Sequence, residues 1–423
     1  MTALLIAPIP SQMVAVWHDA TMHWNAFPSA TLGYCTNVHP GRTLDEVKTQ
    51  LDQHAGQVRR RVCPDEPLGV GLWFSEDVAK QLDPAVAGKA RAWDFKRWLE
   101  GRGLSCFTLN GFPQRDFHQP VVKHAVYEPD WRTEDRRDYT LSLIRILDAL
   151  LPPGQTGSIS TLPVGWGPMH DDAETLAWID PLLWVLDTLA ELEATTGRYI
   201  HLNPEPEPGC YVEDTATLDD AFDLLDAAYV GNGGDPAVLR RYLRPCLDVC
   251  HTAVMFEPAD HLLTWSRRTG FKIGKVQISS APRIRPTRSA AEHETIRTAL
   301  RQLVEPRYLH QTTRGHGGRS RLEAFHEDLP EALAAAHAQR PTKQEWRVHF
   351  HVPVHLESLG VLGTTQQQII KLLDAIHPDD GIEHFEVETY AWNVLPETHR
   401  PANLADGIAA ELEWVRSLGD GAL

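Results

Sequence analysis

Four stretches of the chain set an apolar, partly β-branched run beside a polar side chain that could hold a cation or move a proton. These side chains are Glu205 or Glu207 in Asn203-Pro-Glu-Pro-Glu-Pro208, Asp248 with His251 in Leu247–Phe256, Gln277 in Lys272–Ser279, and Glu388 in His384–Thr389. Side chains alternate along a strand, so Asp248 and His251 would face opposite sides of a regular one. They converge if the strand ends near Asp248 and the chain turns. That is the arrangement at the carboxyl mouth of a parallel βα barrel, where adjacent strand ends carry ligands around one opening. Two glutamates, an aspartate and an amide make a mostly oxygen site. It suits one hard or borderline divalent ion, Mn²⁺ or Mg²⁺ first, and His251 beside it admits Zn²⁺ or Co²⁺. Such an ion polarises a ketone and its neighbouring hydroxyl while a carboxylate takes the proton between them.

Each of these residues also has a plainer use. Glu205 and Glu207 are solvated loop charges if the proline-stiffened loop faces water. Gln277 can satisfy itself by hydrogen bonds inside a barrel. Glu386 and Glu388 share one face of their strand, so one of them can be a surface charge. His349, His351 and His355 alternate as packing or polar contacts along an extra strand, with metal ligation as the other reading. Cys35 and Cys250 read as core thiols, and Trp131, Trp166 and Trp392 as core aromatics or the wall of an apolar pocket.

The elements that must position these residues alternate between β-like and amphipathic helical segments. Strands are expected at Thr31–Thr36, Gly69–Phe74, Leu104–Leu109, Ser158–Leu162, Arg198–Leu202, the Asp248 stretch, Lys272–Ser279 and His384–Thr389, with an extra strand at Trp346–Val354. Helices are expected over Leu44–Gln57 behind a Thr43 cap, from Asp83-Pro84 to Gly101, over Thr133–Leu150, and over Asp172–Thr196. Further helices fall near 217–229, 235–243, 289–304, 329–338, after Thr365 and over 402–418. Eight strands plus one favour an α/β fold of the (βα)8 TIM-barrel type over an open doubly wound sheet. No Gly-x-Gly-x-x-Gly follows the first strand and no Walker loop is present. The chain divides into an extension, 1–28, containing His18 and His23; the first seven barrel strands, 29–281; an insertion near the mouth, 282–345, carrying basic residues and the segment Arg314-Gly-His-Gly-Gly-Arg319; and 346–423, with the extra strand, strand eight and a closing helix. The loop 114–131, with Lys123, His124 and Tyr127, is long enough to be functional.

The 423 residues carry a net charge of −17, which disfavours nucleic acid as a partner, although Arg283, Arg285 and Arg288 make a local basic group. Six dispersed cysteines form no disulfide framework, no apolar run spans a membrane, and the amino-terminal stretch lacks the basic start of a secretory signal. The expected setting is therefore cytoplasmic, with reduced thiols.

Nine phrases resemble the metabolite-traffic EboE family, a branch of the xylose isomerase-like TIM barrels. They are Leu32-Gly-Tyr-Cys-Thr-Asn-Val-His-Pro-Gly41, Asn110-Gly-Phe-Pro113, Val126-Tyr-x-Pro-Asp-Trp131, Ser158-Ile-Ser-Thr-Leu-Pro163, Glu205-Pro-Glu-Pro-Gly-Cys210, Asp248-x-Cys-His-x-Ala-Val254, Lys275-Val-Gln-Ile-Ser-Ser-Ala281, His349-Phe-His-Val-Pro-Val354 and Glu388-Thr-Tyr-x-Trp-x-Val-Leu-Pro396. They span nearly the whole chain. The wider superfamily includes ketose 3-epimerases, whose metal ligands are Glu, Asp, His and Glu on strands five to eight. The resemblance implies Glu205, Asp248, Gln277 and Glu388 as metal ligands, with Gln277 replacing the usual His as in the hydroxypyruvate isomerase branch. It implies Glu205 and Glu388 as acid and base, and His251 as a contact that steadies a substrate oxygen. Asn37, His39, Asn110, Glu207, His351 and Trp392 are the candidate substrate contacts. The expected activity is metal-dependent isomerisation or epimerisation of a small polyhydroxylated sugar or cyclitol through an enediolate. A metabolite carrier on the same barrel is the alternative, and other proteins of the same pathway are expected partners.

Overall fold

The computed structural model describes Met22 and residues 24–168, 175–287, 289–316, 321–336 and 344–418. Seven parallel strands come first: β1 (Thr31–Cys35), β2 (Leu68–Trp73), β3 (Leu104–Asn110), β4 (Gly157–Thr161), β5 (Ile200–Pro204), β6 (Cys246–Asp248) and β7 (Lys275–Ile278). After them the chain builds β8 (Pro282–Ile284), β9 (Thr312–His316), β10 (Arg321–His326), β11 (Glu345–Val348), β12 (Ser358–Leu359) and β13 (Leu362–Thr364), then returns as β14 (His384–Val387). The parallel sheet runs β5-β4-β3-β2-β1-β14-β7-β6, and a parallel bridge between Leu202 and Leu243 joins its two ends. Arg244 N–H donates to the Leu202 carbonyl across that seam at 3.0 Å. The result is a (βα)8 barrel.

Register carries the ligand positions to one mouth. Asp248 pairs with Gln277, Gln277 with Glu386, and Glu386 with Gly33 on successive strands. Glu388 lies just past the end of β14, where its N–H donates to Ile278 O, and Glu205 just past β5, where its N–H donates to Thr161 O. Every parallel strand points the same way, so residues at or beyond these ends gather at a single opening. Below it the barrel interior holds a buried ion pair, Lys275 Nζ to Glu386 Oε2 at 2.5 Å, both side chains without solvent exposure. Gly71 makes room for it: a Cβ there would sit 1.2 Å from Glu386 Oε1.

The second sheet, ordered β10-β9-β11-β8-β13-β12, is antiparallel throughout and leans on the same mouth. Thr313 Oγ1 donates to Val254 O at 2.6 Å and Arg347 Nη1 to Ala253 O at 2.5 Å, fastening it to the end of the short helix that follows β6.

Several elements depart from the sequence expectation for identifiable reasons. The expected sixth strand stops at Asp248, whose side chain accepts from His251 N at 2.9 Å and so caps the helix Val249–Val254. The helix expected to open at Asp83-Pro84 is two: Glu76–Leu82 behind the Ser75 cap, and Lys89–Glu100. Asp83 ends the first and is fully buried, accepting from Ser142 and Arg145. The extra strand is Glu345–Val348, because its pairing with β9 stops at Val348 opposite Thr312. His349, His351 and His355 therefore lie beyond its end. The helix after Thr43 is as expected at its start and continues to Val62 through a wider turn at Leu51–Ala55. His18, His23, Arg288, Arg319 and the Asp172 start of the fourth expected helix lie outside the described residues; the helix there runs Ile179–Thr196.

Candidate metal and acid–base site

Carboxylate oxygens of Glu205, Asp248 and Glu388 lie within 4.8 Å of one another, and all three side chains are buried. Their remaining bonds are unequal. Asp248 Oδ1 accepts from Ser279 Oγ at 2.7 Å and from His251 N, while Asp248 Oδ2 and Glu205 Oε2 have no hydrogen-bond partner among the described residues. Glu388 Oε1 accepts from Asn37 Nδ2 at 2.8 Å, and Glu388 Oε2 accepts from Gln277 Nε2. Gln277 turns its Oε1 to the Cys246 thiol, which donates at 2.7 Å. In this orientation Gln277 presents Nε2 to the carboxylates, and serving as an oxygen ligand would require its amide to turn and give up both bonds.

Buried carboxylates this close resist sharing negative charge. Burial pushes the Glu205 carboxyl well above the usual carboxylate range; Glu388 and Asp248 push it the same way, and Lys275 opposes them. Glu388 is pushed up to about 8, first by burial and then by Asp248, again against Lys275. Glu207 is raised by burial, with His251, Tyr127 and Gln311 pulling it back. A divalent cation at this point would relieve the repulsion and give the two orphaned oxygens a partner. The three-carboxylate set fits such an ion.

The site opens into a cavity of about 80 Å³. Its walls include Asn37, Asn110, Glu207, His251, His349 and His351, along with Phe112, Phe117, Tyr127, Tyr308 and Tyr390. Of the substrate contacts expected from sequence, Asn37, Asn110, Glu207 and His351 reach this cavity. Asn110 uses its Oδ1 to accept from Phe112 N at 3.1 Å, which bends the chain after β3. Glu207 accepts from Tyr127 Oη at 2.7 Å and Gln311 Nε2 at 3.1 Å. His39 instead stacks on His54 and bonds Tyr34 Oη at 3.0 Å, away from the cavity lining. Trp392 packs against the closing helix Leu404–Ser417, where a Cβ on Gly407 would touch its ring, and is likewise outside the lining. Both are buried but drawn to neighbouring helices rather than to the mouth.

Sequence reading passed over Gln311, Tyr308 and Ser279, which border or brace the site. Gln311 precedes β9 and reaches it only because the second sheet folds over the barrel; nothing in its local sequence marks it. Ser279 had a signal, two residues after Gln277 and hence on the same side of the chain.

No family model and no curated protein matches the chain. Solved structures with similar folds include a xylose isomerase-like TIM barrel protein from Mycobacterium smegmatis in complex with magnesium, at 13% identity and TM-score 0.45, covering 93% of this chain and 98% of that one. The probable 3-DHS dehydratase AsbF of Bacillus anthracis is 12% identical with TM-score 0.44 and coverage of 90% and 97%. A xylose isomerase domain containing protein of Salmonella typhimurium is 12% identical with TM-score 0.39 and coverage of 93% and 98%.

Proposed function

We propose that the chain is a divalent-metal-dependent isomerase or epimerase of a small polyhydroxylated sugar- or cyclitol-like metabolite, working in the cytoplasm beside other proteins of one pathway. The observation that carries this reading is the convergence of Glu205, Asp248 and Glu388 at three strand ends with two carboxylate oxygens left unpartnered. Glu205, Asp248 and Glu388 hold the ion, with Gln277 as a fourth ligand once its amide is turned. When bound, the ion supplies Lewis acidity that polarises a carbonyl and the neighbouring hydroxyl of the substrate. A mostly oxygen donor set favours Mn²⁺ or Mg²⁺, and the adjacent imidazoles admit Zn²⁺ or Co²⁺.

Glu205 and Glu388 flank the space in which the reacting carbons would lie. One takes the proton from carbon and the other returns it, through an enediolate. Asn37 orients Glu388 through its 2.8 Å bond. His251 borders the space beside the reacting carbons, its ring held by the Nδ1 bond to Pro206 O at 2.9 Å. Asn110, Glu207 and His351 provide further polar contacts, and the aromatic walls exclude water. The likeness of the nine sequence phrases to EboE proteins supports the pathway setting, and six free, buried thiols agree with a reducing compartment.

The test is exchange of substrate carbon-bound hydrogen with deuterated water, over a panel of ketoses and inososes, by Mn²⁺-loaded protein. Glu388→Gln should bind ion and substrate and lose exchange. Full turnover in that variant would overturn the acid–base assignment. Tight binding of a panel member with no exchange in the wild type would make the protein a carrier.

A further inference from the structure

Beside the carboxylates, three buried imidazoles converge, and their hydrogen bonds fix which nitrogen of each ring carries the proton. His251 Nδ1 lies 2.9 Å from Pro206 O, and His351 Nδ1 lies 3.0 Å from Glu388 O. A main-chain carbonyl only accepts, so both Nδ1 atoms are donors. His349 Nδ1 lies 2.8 Å from Gln311 Oε1. The orientation of that amide is set independently, because Gln311 Nε2 lies 3.0 Å from Pro208 O and 3.1 Å from Glu207 Oε1. Reversing it would press oxygen on oxygen twice, so His349 Nδ1 is a donor too.

Each neutral ring is therefore left with a bare Nε2. The Nε2 atoms of His251 and His349 face each other at 3.1 Å, lone pair against lone pair. His351 Nε2, in a side chain 1% exposed, has no hydrogen-bond partner among the described residues. The ring centroids are 4.6, 5.4 and 5.7 Å apart. One extra proton could join His251 to His349, but it would leave His351 unpaired and put a charged imidazolium in a buried cluster. A cation satisfies all three. Nitrogens bound at about 2.0–2.1 Å around a tetrahedral ion stand roughly 3.3 Å apart, close to the 3.1 Å between the Nε2 atoms of His251 and His349. Ligating histidines characteristically donate their other nitrogen to a carbonyl, as all three do here.

We propose that His251, His349 and His351, through Nε2, together with Asp248, form a second cation site that takes a nitrogen-preferring transition metal ion such as Zn²⁺. Asp248 belongs with His251 and His351 in one set of converging donors and with Glu205 and Glu388 in another, and His349 joins His351 beside the Cys250 thiol in a third. Asp248 Oδ1 is 3.9 Å from His251 Nε2 and its Oδ2 is unpartnered. The carboxylate is thus placed to serve both ions, the arrangement of a two-metal centre. The imidazole geometry alone supports this site, whether or not the barrel is an isomerase. The second sheet then has a part in it. The segment leaving β11 brings His349 and His351, and the residue before β9 holds one of them in its tautomer.

The experiment is Zn K-edge X-ray absorption on the full chain titrated with Zn²⁺, with metal content measured in parallel. The wild type should take up about two ions per chain and show outer-shell scattering from imidazoles. His349→Ala with His351→Ala should lose one ion and most of that scattering, whereas Glu205→Gln with Glu388→Gln should lose the other ion and keep the scattering. Oxygen-only ligation in the wild type, or an unchanged ion count in the folded double-histidine variant, would overturn the proposal. The wild-type spectrum decides even if a variant fails to fold. Retained imidazole scattering with no ion lost from the glutamine variant would count against the carboxylate site and leave the histidine site standing.

Discussion

Replacing Lys275 by Met should destabilise the barrel by about 3–5 kcal/mol, because it strands Glu386 as a buried charge without a partner. The pair is 2.5 Å apart with neither side chain exposed, and Ser160 Oγ, at 3.4 Å, is the further hydrogen-bond partner of Lys275 Nζ. At an effective dielectric constant near 20 the attraction at that distance is about 7 kcal/mol. Desolvating the two ions takes back several kcal/mol, so the intact pair contributes little net stability. Breaking one side is a different matter, since the penalty for burying Glu386 remains while the attraction is gone. Part of the loss is relieved by protonation: burial already raises the Glu386 carboxyl, and Lys275 is what opposes that rise. Lys275→Met should therefore be less damaging at acidic than at neutral pH. The double change Lys275→Met with Glu386→Gln removes both charges and should recover about 2 kcal/mol or more of the single-variant loss. The assay is urea unfolding followed by tryptophan fluorescence at pH 5 and pH 7.5, comparing midpoints at constant slope. A single-variant cost under about 1 kcal/mol at neutral pH, or a double variant no better than the single, would contradict this account of the pair.

Three further outcomes are expected. Burial pushes the Glu411 carboxyl up to about 8, against its bonds from Thr389 Oγ1 and Val354 N. Its folded value lies above its unfolded one, so its contribution is complete at acidic pH and is lost as pH rises from the ordinary carboxylate range through 8. Glu411→Gln keeps the acceptor oxygen and should flatten the stability profile over that window by up to about 5 kcal/mol, read from thermal unfolding between pH 5 and pH 9. Gly71→Ala should cost about 1–3 kcal/mol or more, since its Cβ would overlap Glu386 Oε1; an unchanged midpoint in urea would show that the carboxylate has another place to go. Glu388→Gln should lower exchange into substrate by roughly 10²–10⁴-fold with metal still bound, measured by deuterium incorporation alongside metal content.

The strand-end residues were legible because their signals are local. Apolar runs followed by Glu205-Pro-Glu, Asp248-x-x-His251, Gln277 and Glu388 read as strands meeting a mouth, and parallel register then carried these residues together. Boundaries were less so. Asp83-Pro84 looks like a helix start, but Asp83 instead gives its carboxylate to Arg145 and Ser142, 62 and 59 residues away. Likewise His39 and Trp392 carry the right residue types at the right strand ends, yet His54 and the closing helix hold them elsewhere.

Local sequence was enough for the alternation of strands and helices, the eight-strand count and the polar residues at the ends of strands five to eight. Those depend on periodicity and turn chemistry within a few residues, and each can be read without its partners. Other features exist only once distant segments meet. Lys275 and Glu386 neutralise each other inside the barrel, and Gln311 reaches over from the second sheet to Glu207 and His349. His251 and His349 set their Nε2 atoms 3.1 Å apart, and His351 Nε2 beside them has no hydrogen-bond partner among the described residues. In such places burial and hydrogen-bond direction, which no local pattern encodes, settle the charge and proton of each group.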